Sequence, residues 1–74
     1  MKERISYNDL LELCSRGFEE RNITKNEYEN IKNYISLRIQ DEIILDSNEV
    51  FDFSKPFICV EFSEAYAVIY HYNP

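Results

Sequence analysis

Residues 57–72 read FICVEFSEAYAVIYHY, two β-branched and aromatic runs joined by Ser63-Glu64-Ala65-Tyr66. This is the pattern of a β-hairpin, and the way its two runs pair decides which side chains are core. A three-residue loop pairs Phe62 with Tyr66, Val60 with Val68 and Ile58 with Tyr70, and turns the tyrosines inward. A four-residue loop pairs Phe62 with Ala67 and Val60 with Ile69. Val68, Tyr70 and Tyr72 then share the opposite face with Glu61. A slip of one residue exchanges the two faces completely. Three-residue loops want a left-handed residue, and this loop holds neither Gly nor Asn. Four-residue loops around a type I turn accept most residues. The composition of the loop favours the second register and leaves the first open.

Upstream of the hairpin, Ile43-Ile44-Leu45 is a short apolar run and Asp46-Ser47-Asn48-Glu49 is turn chemistry. Val50-Phe51-Asp52-Phe53 reads as a strand, which Ser54-Lys55-Pro56 breaks. Before residue 43 the period is helical. Ser6 with Asp9 resembles a capping box, and Tyr7, Leu10, Leu11 and Cys14 follow at helical spacing. Gly17, the only glycine, stands where a left-handed C′ residue belongs, with Phe18 packing back. The first helix is therefore expected over about 7–16. Thr24 and Glu27 repeat the box, and Ile23 and Tyr28 are spaced as a hydrophobic staple. Tyr28, Ile31, Ile35 and Ile39 continue one face of a second helix over about 25–40. Tyr34 with Arg38, and Glu27 or Glu29 with Lys32, pair along it. The expected fold is a single α+β domain, residues 1–74. An N-terminal αα-hairpin packs on a C-terminal antiparallel β-meander of three or four strands.

Length and composition narrow the function classes. A chain of 74 residues has no room for a second domain and buries only ~60 % of its unfolded surface. A partner chain or self-association into a homodimer is the expected supplement. Cys14 and Cys59 allow at most one disulfide, and they read as buried free thiols of a cytoplasmic protein. The charged start MKERISYNDL has no apolar signal region, and no run of apolar residues is long enough to span a membrane. The net charge of −6 argues against direct nucleic-acid binding, which needs clustered Lys and Arg. Gly once, Trp never, and abundant Ile, Asn, Glu and Tyr are what AT-rich codons produce. That points to a low-GC bacterium or its phage.

The charge is unevenly placed. Residues 1–38 balance seven basic against seven acidic groups, whereas residues 39–74 set Lys55 against Asp41, Glu42, Asp46, Glu49, Asp52, Glu61 and Glu64. Alternate turns of a meander share one end of the sheet, and neighbouring strands are ~4.8 Å apart. Asp46, Glu49, Glu61 and Glu64 are thus expected along one rim, with Tyr66, Tyr70 and Tyr72 nearby. Such a rim either keeps a small protein soluble or forms an anionic, tyrosine-bearing surface steered to a Lys/Arg-rich groove.

No catalytic or cofactor pattern competes with it. His71 and Cys59 lie on adjacent expected strands without a third orienting group. One His and two distant Cys give no zinc spacing. The 46–49 stretch lacks the Gly and distal Glu of a calcium loop. There is no glycine-rich phosphate loop. The chain reads as a non-enzyme without cofactor or metal.

Short length, absence of a catalytic set, AT-rich usage and the acidic, tyrosine-bearing stretch from Asp41 to Glu64 together resemble a class. These are the small acidic proteins that phages encode to block host machinery, including anti-CRISPR proteins and other DNA mimics. The resemblance is one of composition and carries no ordered motif. It implies an inhibitor that occupies a basic nucleic-acid-binding surface of a larger protein, such as a defence complex, in the host cytoplasm. The rival is an assembly protein forming a homo-oligomer, its acidic surface serving only solubility.

Overall fold

Ser6 ends a strand and begins a helix in the same residue. In the computed structural model, which describes residues 1–47 and 49–72, β1 (Lys2–Ser6) runs straight into α1 (Tyr7–Glu19). The Ser6 hydroxyl accepts from the Asp9 N–H at 3.1 Å. The side chain of Thr24 does the same for Glu27 at the start of α2 (Lys25–Ser36). Both expected caps are present, and each ties down an amide the first helical turn leaves free.

Gly17 is not a cap. It lies buried inside α1, and a Cβ added to it would come within 3.1 Å of Phe57 Cε1. The glycine is there because the ring of a β-strand residue presses on the helix backbone. The helix continues to Glu19, and Arg21 takes the left-handed conformation at φ 64°. The second helix stops at Ser36, four residues short of expectation, and leaves Leu37 and Ile39 exposed.

The sheet departs from a meander. Its strands are β1, β2 (Glu42–Asp46), β3 (Phe57–Ser63) and β4 (Tyr66–His71), in the order β1-β2-β4-β3. β1 pairs antiparallel with β2, and β3 with β4, but β2 runs parallel to β4. The segment Val50–Phe53, expected as a strand, is none. Phe51 and Phe53 instead fold edge-on against Phe57, with ring centroids 5.4 Å away in each case. The missed strand, Lys2–Ser6, carries one strongly apolar residue, Ile5, too little for an alternation to be seen.

Both hairpin registers occur. Near the turn Phe62 faces Ala67 and Glu61 faces Val68, as a four-residue loop requires. Beyond a bulge at Val60, Cys59 faces Ile69 and Ile58 faces Tyr70, as a three-residue loop requires. The extra residue lets Cys59 and Phe62, which differ in parity, both point inward. Val60 and Glu61 are consequently both left outward and exposed.

The helices cover one sheet face only. Ile43, Leu45, Phe57, Cys59, Ala67 and Ile69 from the sheet meet Tyr7, Leu10, Cys14, Ile23 and Ile31 from the helical side in one core. α2 adds Tyr34, whose ring stacks on Phe62 at 4.2 Å and whose hydroxyl donates to the Ser63 carbonyl. Arg38 lies over the other side of that ring, 4.2 Å from its centre, so the expected Tyr34–Arg38 pair is made.

Candidate functional site

The parallel pairing of β2 with β4 decides where the acidic groups go. Ile44 faces Tyr66 and Asp46 faces Val68. The turn after β2 therefore lies at one end of the sheet and the β3–β4 hairpin at the other. Asp46 and Glu49 do not share a rim with Glu64, and the expected four-carboxylate cluster is not formed. The error came from the assumed strand order: alternate turns coincide only in an antiparallel meander.

A smaller group does come together on the uncovered sheet face. Val68 has Asp46 beside it on β2 and Glu61 beside it on β3. The two carboxylate-bearing residues flank it at one strand spacing each, ~4.8 Å. Tyr66 and Tyr70 precede and follow Val68 on the same face, and Tyr70 is 41 % exposed. Ile58 and Val60 extend the patch to the border strand, at 38 % and 56 % exposure. Ile44 completes it on β2, half-buried. Asp46, Ser47, Val68 and Tyr70 line a shallow depression in its middle. Tyr72 lies beyond β4, half-buried, with its N–H bonded to the Pro56 carbonyl. Glu49 and Glu64 are exposed but outside the patch. Of the seven residues expected, the structure groups Asp46, Glu61, Tyr66 and Tyr70. Ile44, Ile58, Val60 and Val68 were missed. Their signal was the strand alternation, which marks two faces without saying which one the helices cover.

The amino-terminal strand brings basic charge to this face. Arg4 pairs with Glu42 at 3.5 Å, and Lys2 reaches over the Tyr66 ring at 6.0 Å. The face therefore has a basic β1 side and an acidic and apolar β4–β3 side. At the centre the Tyr66 hydroxyl donates to Asp46 Oδ2. That bond holds the Asp46 carboxyl below the ordinary carboxylate range and pushes the Tyr66 phenol up.

Asp52 is held low in the same way, first by the Ser54 hydroxyl and then by the Ser54 N–H. Lowered carboxyl values mean that the folded chain binds protons less readily than the unfolded one. Their stabilisation is complete above the unfolded value, ~3.9, and is lost as pH falls through the folded values. Glu27 acts oppositely: burial raises its value, so its contribution fades as pH rises past ~4.3. Denaturation midpoints should fall below pH 4, and D46N should flatten that acid limb.

Histidine and cysteine are used structurally. The Asp52 N–H donates to His71 Nε2 at 2.9 Å, and His71 Nδ1 faces the Pro56 carbonyl at 3.3 Å. With Nε2 accepting, the proton sits on Nδ1. The ring stacks on Phe51 at 4.9 Å and clasps the 51–56 segment to the end of the sheet. Cys14 and Cys59 are buried free thiols, each pushed up to about 12, mainly by burial. Cys59 and His71 thus form no activated nucleophile and base.

Among the described residues no group of three or more His, Cys, Asp or Glu is placed to hold a metal ion, and no helix is long and apolar enough to cross a membrane. Comparison with family models, with curated proteins and with solved structures returns no match.

Proposed function

We propose that this chain is a non-catalytic protein-binding module that docks the β4–β3 half of its open sheet face on a Lys/Arg-rich surface of a larger protein. One observation carries the reading. Tyr66, Val68, Tyr70, Ile58 and Val60 form a contiguous patch without a covering layer, and Asp46 and Glu61 flank its centre. Large apolar groups gathered on one face mark interaction sites. Tyrosine supplies contact area at small entropic cost. The carboxylates and the net charge of −6 select a basic partner and speed the encounter. Occupying such a surface is the role of the small acidic phage inhibitors that the composition resembles, and an inhibitor of this kind would act in the cytoplasm of the host. With the carboxylates divided between two ends of the sheet, a local plug is favoured over imitation of a whole duplex. Edge-to-edge assembly into homo-oligomers has less support, because Asn22 and Tyr34 take up backbone groups along β3 and the charged residues Lys2, Glu3 and Arg4 line β1.

The test begins with a protein that the wild-type chain retains from a low-GC bacterial lysate and the double variant Glu61→Lys/Tyr70→Ala does not. Titrated in purified form, it should associate several-fold more slowly with Glu61→Lys at low salt. The difference should shrink as salt shortens the screening length toward ~8 Å. Tyr70→Ala should act on the dissociation rate instead. Binding indifferent to salt and to both substitutions would remove the proposal.

A further inference from the structure

The two borders of the sheet are treated differently. Along β3 three backbone groups are occupied from the helical side. The Phe57 N–H donates to the Asn22 carbonyl at 2.9 Å, the Cys59 N–H faces the Glu27 carboxylate, and the Ser63 carbonyl accepts from the Tyr34 hydroxyl. Along β1 the outward amides are not occupied. The Ser47 N–H bonds to the Met1 carbonyl at 2.9 Å and the Tyr7 N–H to the Asp41 carbonyl at 3.0 Å. By the alternation of an antiparallel ladder, Met1, Glu3, Ile5 and Tyr7 therefore turn their backbones toward β2. Lys2, Arg4 and Ser6 turn their N–H groups outward, and these have no partner among the described residues.

A groove runs beside this open border. It is lined by Ile5 and by Asp9, Glu12, Leu13 and Arg16 of α1. The core side of α1 is Tyr7, Leu10, Cys14 and Gly17. Its flank toward α2 is a second groove, where Leu11 and Ser15 meet Tyr28. The Asp9–Arg16 flank is on the other side and overhangs the edge of β1, leaving Ile5 and Leu13 half-exposed. A sheet edge with free amides below an overhanging helix is the geometry in which an extended segment adds as a further strand.

Charge chooses the occupant. Lys2 and Arg4 project on the open-face side of the border, so a strand laid along it meets two cations on alternate positions. A second copy of the chain fits less well. Antiparallel self-pairing centred on Glu3 sets Lys2 opposite Arg4 with Glu3 opposite Glu3, and centred on Arg4 it sets Arg4 opposite Arg4, so that like charges directly opposite repel; centred on Ile5 it sets Arg4 opposite Ser6 and supplies no carboxylate to the cation. We infer that β1 accepts, as a fifth strand beneath α1, an extended segment of another protein with carboxylate side chains facing Lys2 and Arg4 and apolar ones between them packing on Ile5 and Leu13. This surface is distinct from the β4–β3 patch, and the inference stands or falls independently of it.

The probe is a capped nine-residue peptide of alternating Glu and Val, added to the ¹⁵N-labelled full chain. The expected result is perturbation and slowed exchange of the Lys2, Arg4 and Ser6 amides, with shifts at Leu13. The Lys–Val counterpart, and a Glu–Val peptide N-methylated on its edge-facing amides, should bind at least about tenfold more weakly. Arg4→Pro removes the guanidinium together with an outward N–H, a donor whose loss an edge strand tolerates, and should weaken binding by at least about tenfold. Arg4→Gln, which keeps the amide, should cost less. Should Arg4→Pro fail to fold, the N-methylated peptide makes the same test on the wild-type chain. No binding at millimolar peptide, equal binding of the N-methylated peptide, or shifts centred on Val68 and Tyr70 would overturn the inference.

Discussion

Phe57→Ala should cost the fold a large part of its stability at 25 °C. The ring is 1 % exposed and sits where the layers meet, against Gly17 and Ile23 on one side and Phe51 and Phe53 on the other. Truncating a buried Phe removes its transfer free energy and leaves a cavity, together ~3–5 kcal/mol. The whole chain is held by roughly 4–11 kcal/mol at ~0.05–0.15 kcal/mol per residue. The loss extends beyond the cavity, because the His71 clasp of the 51–56 segment rests on Phe51, which itself packs on Phe57. Urea denaturation should show a midpoint well below that of wild type. A midpoint close to wild type would mean that Phe57 is not the joint between the layers.

Gly17→Val should also destabilise the fold strongly, by overpacking instead of by a cavity. Position 17 has ordinary helical φ, so the glycine is not there for backbone freedom. Alanine would gain ~1 kcal/mol of helix propensity but would press its Cβ to 3.1 Å from Phe57 Cε1. The two effects nearly cancel, and Gly17→Ala should change the midpoint little. Valine adds two methyl groups where Phe57 and Ile23 already stand within 3.5 Å, and overpacking of this kind costs ~1–3 kcal/mol. Since both substitutions act on one contact, Gly17→Ala with Phe57→Leu should be less destabilised than the separate effects add to. Strict additivity of the pair would show that the contact is not what limits position 17.

The position also shows where sequence reasoning misleads. A lone glycine followed by an aromatic, after a run of helical spacing, has the form of a C-terminal cap. Nothing local distinguishes that from a glycine kept small by a ring forty residues away. The site has the same history. Tyr66, Tyr70, Asp46 and Glu61 were visible as residue types, and the hairpin that carries three of them was legible. Their grouping was not, because it depends on β2 lying parallel beside β4, and backbone hydrogen bonds carry no record of which residues they join. Glu49 and Glu64 are separated for that reason, and Tyr72 falls away because it lies past the end of β4. Lys2 and Arg4, which bring positive charge to the same face, were missed because a five-residue border strand with one strongly apolar residue leaves almost no periodicity.

Local chemistry in the chain was enough for the α+β class, both helix starts, the hairpin and the two buried thiols. Capping, apolar spacing and turn composition act over a few residues and read the same in any context. Strand order, the bulge that reconciles both hairpin registers, the uncovered face and the open amides of β1 came only with the tertiary structure. The ten residues between β2 and β3 are long enough to carry the chain past the neighbouring position. β4 then returns into the gap between them, where the buried apolar sides of β2 and β3 meet its Ala67 and Ile69. That choice is made by packing between segments distant in sequence.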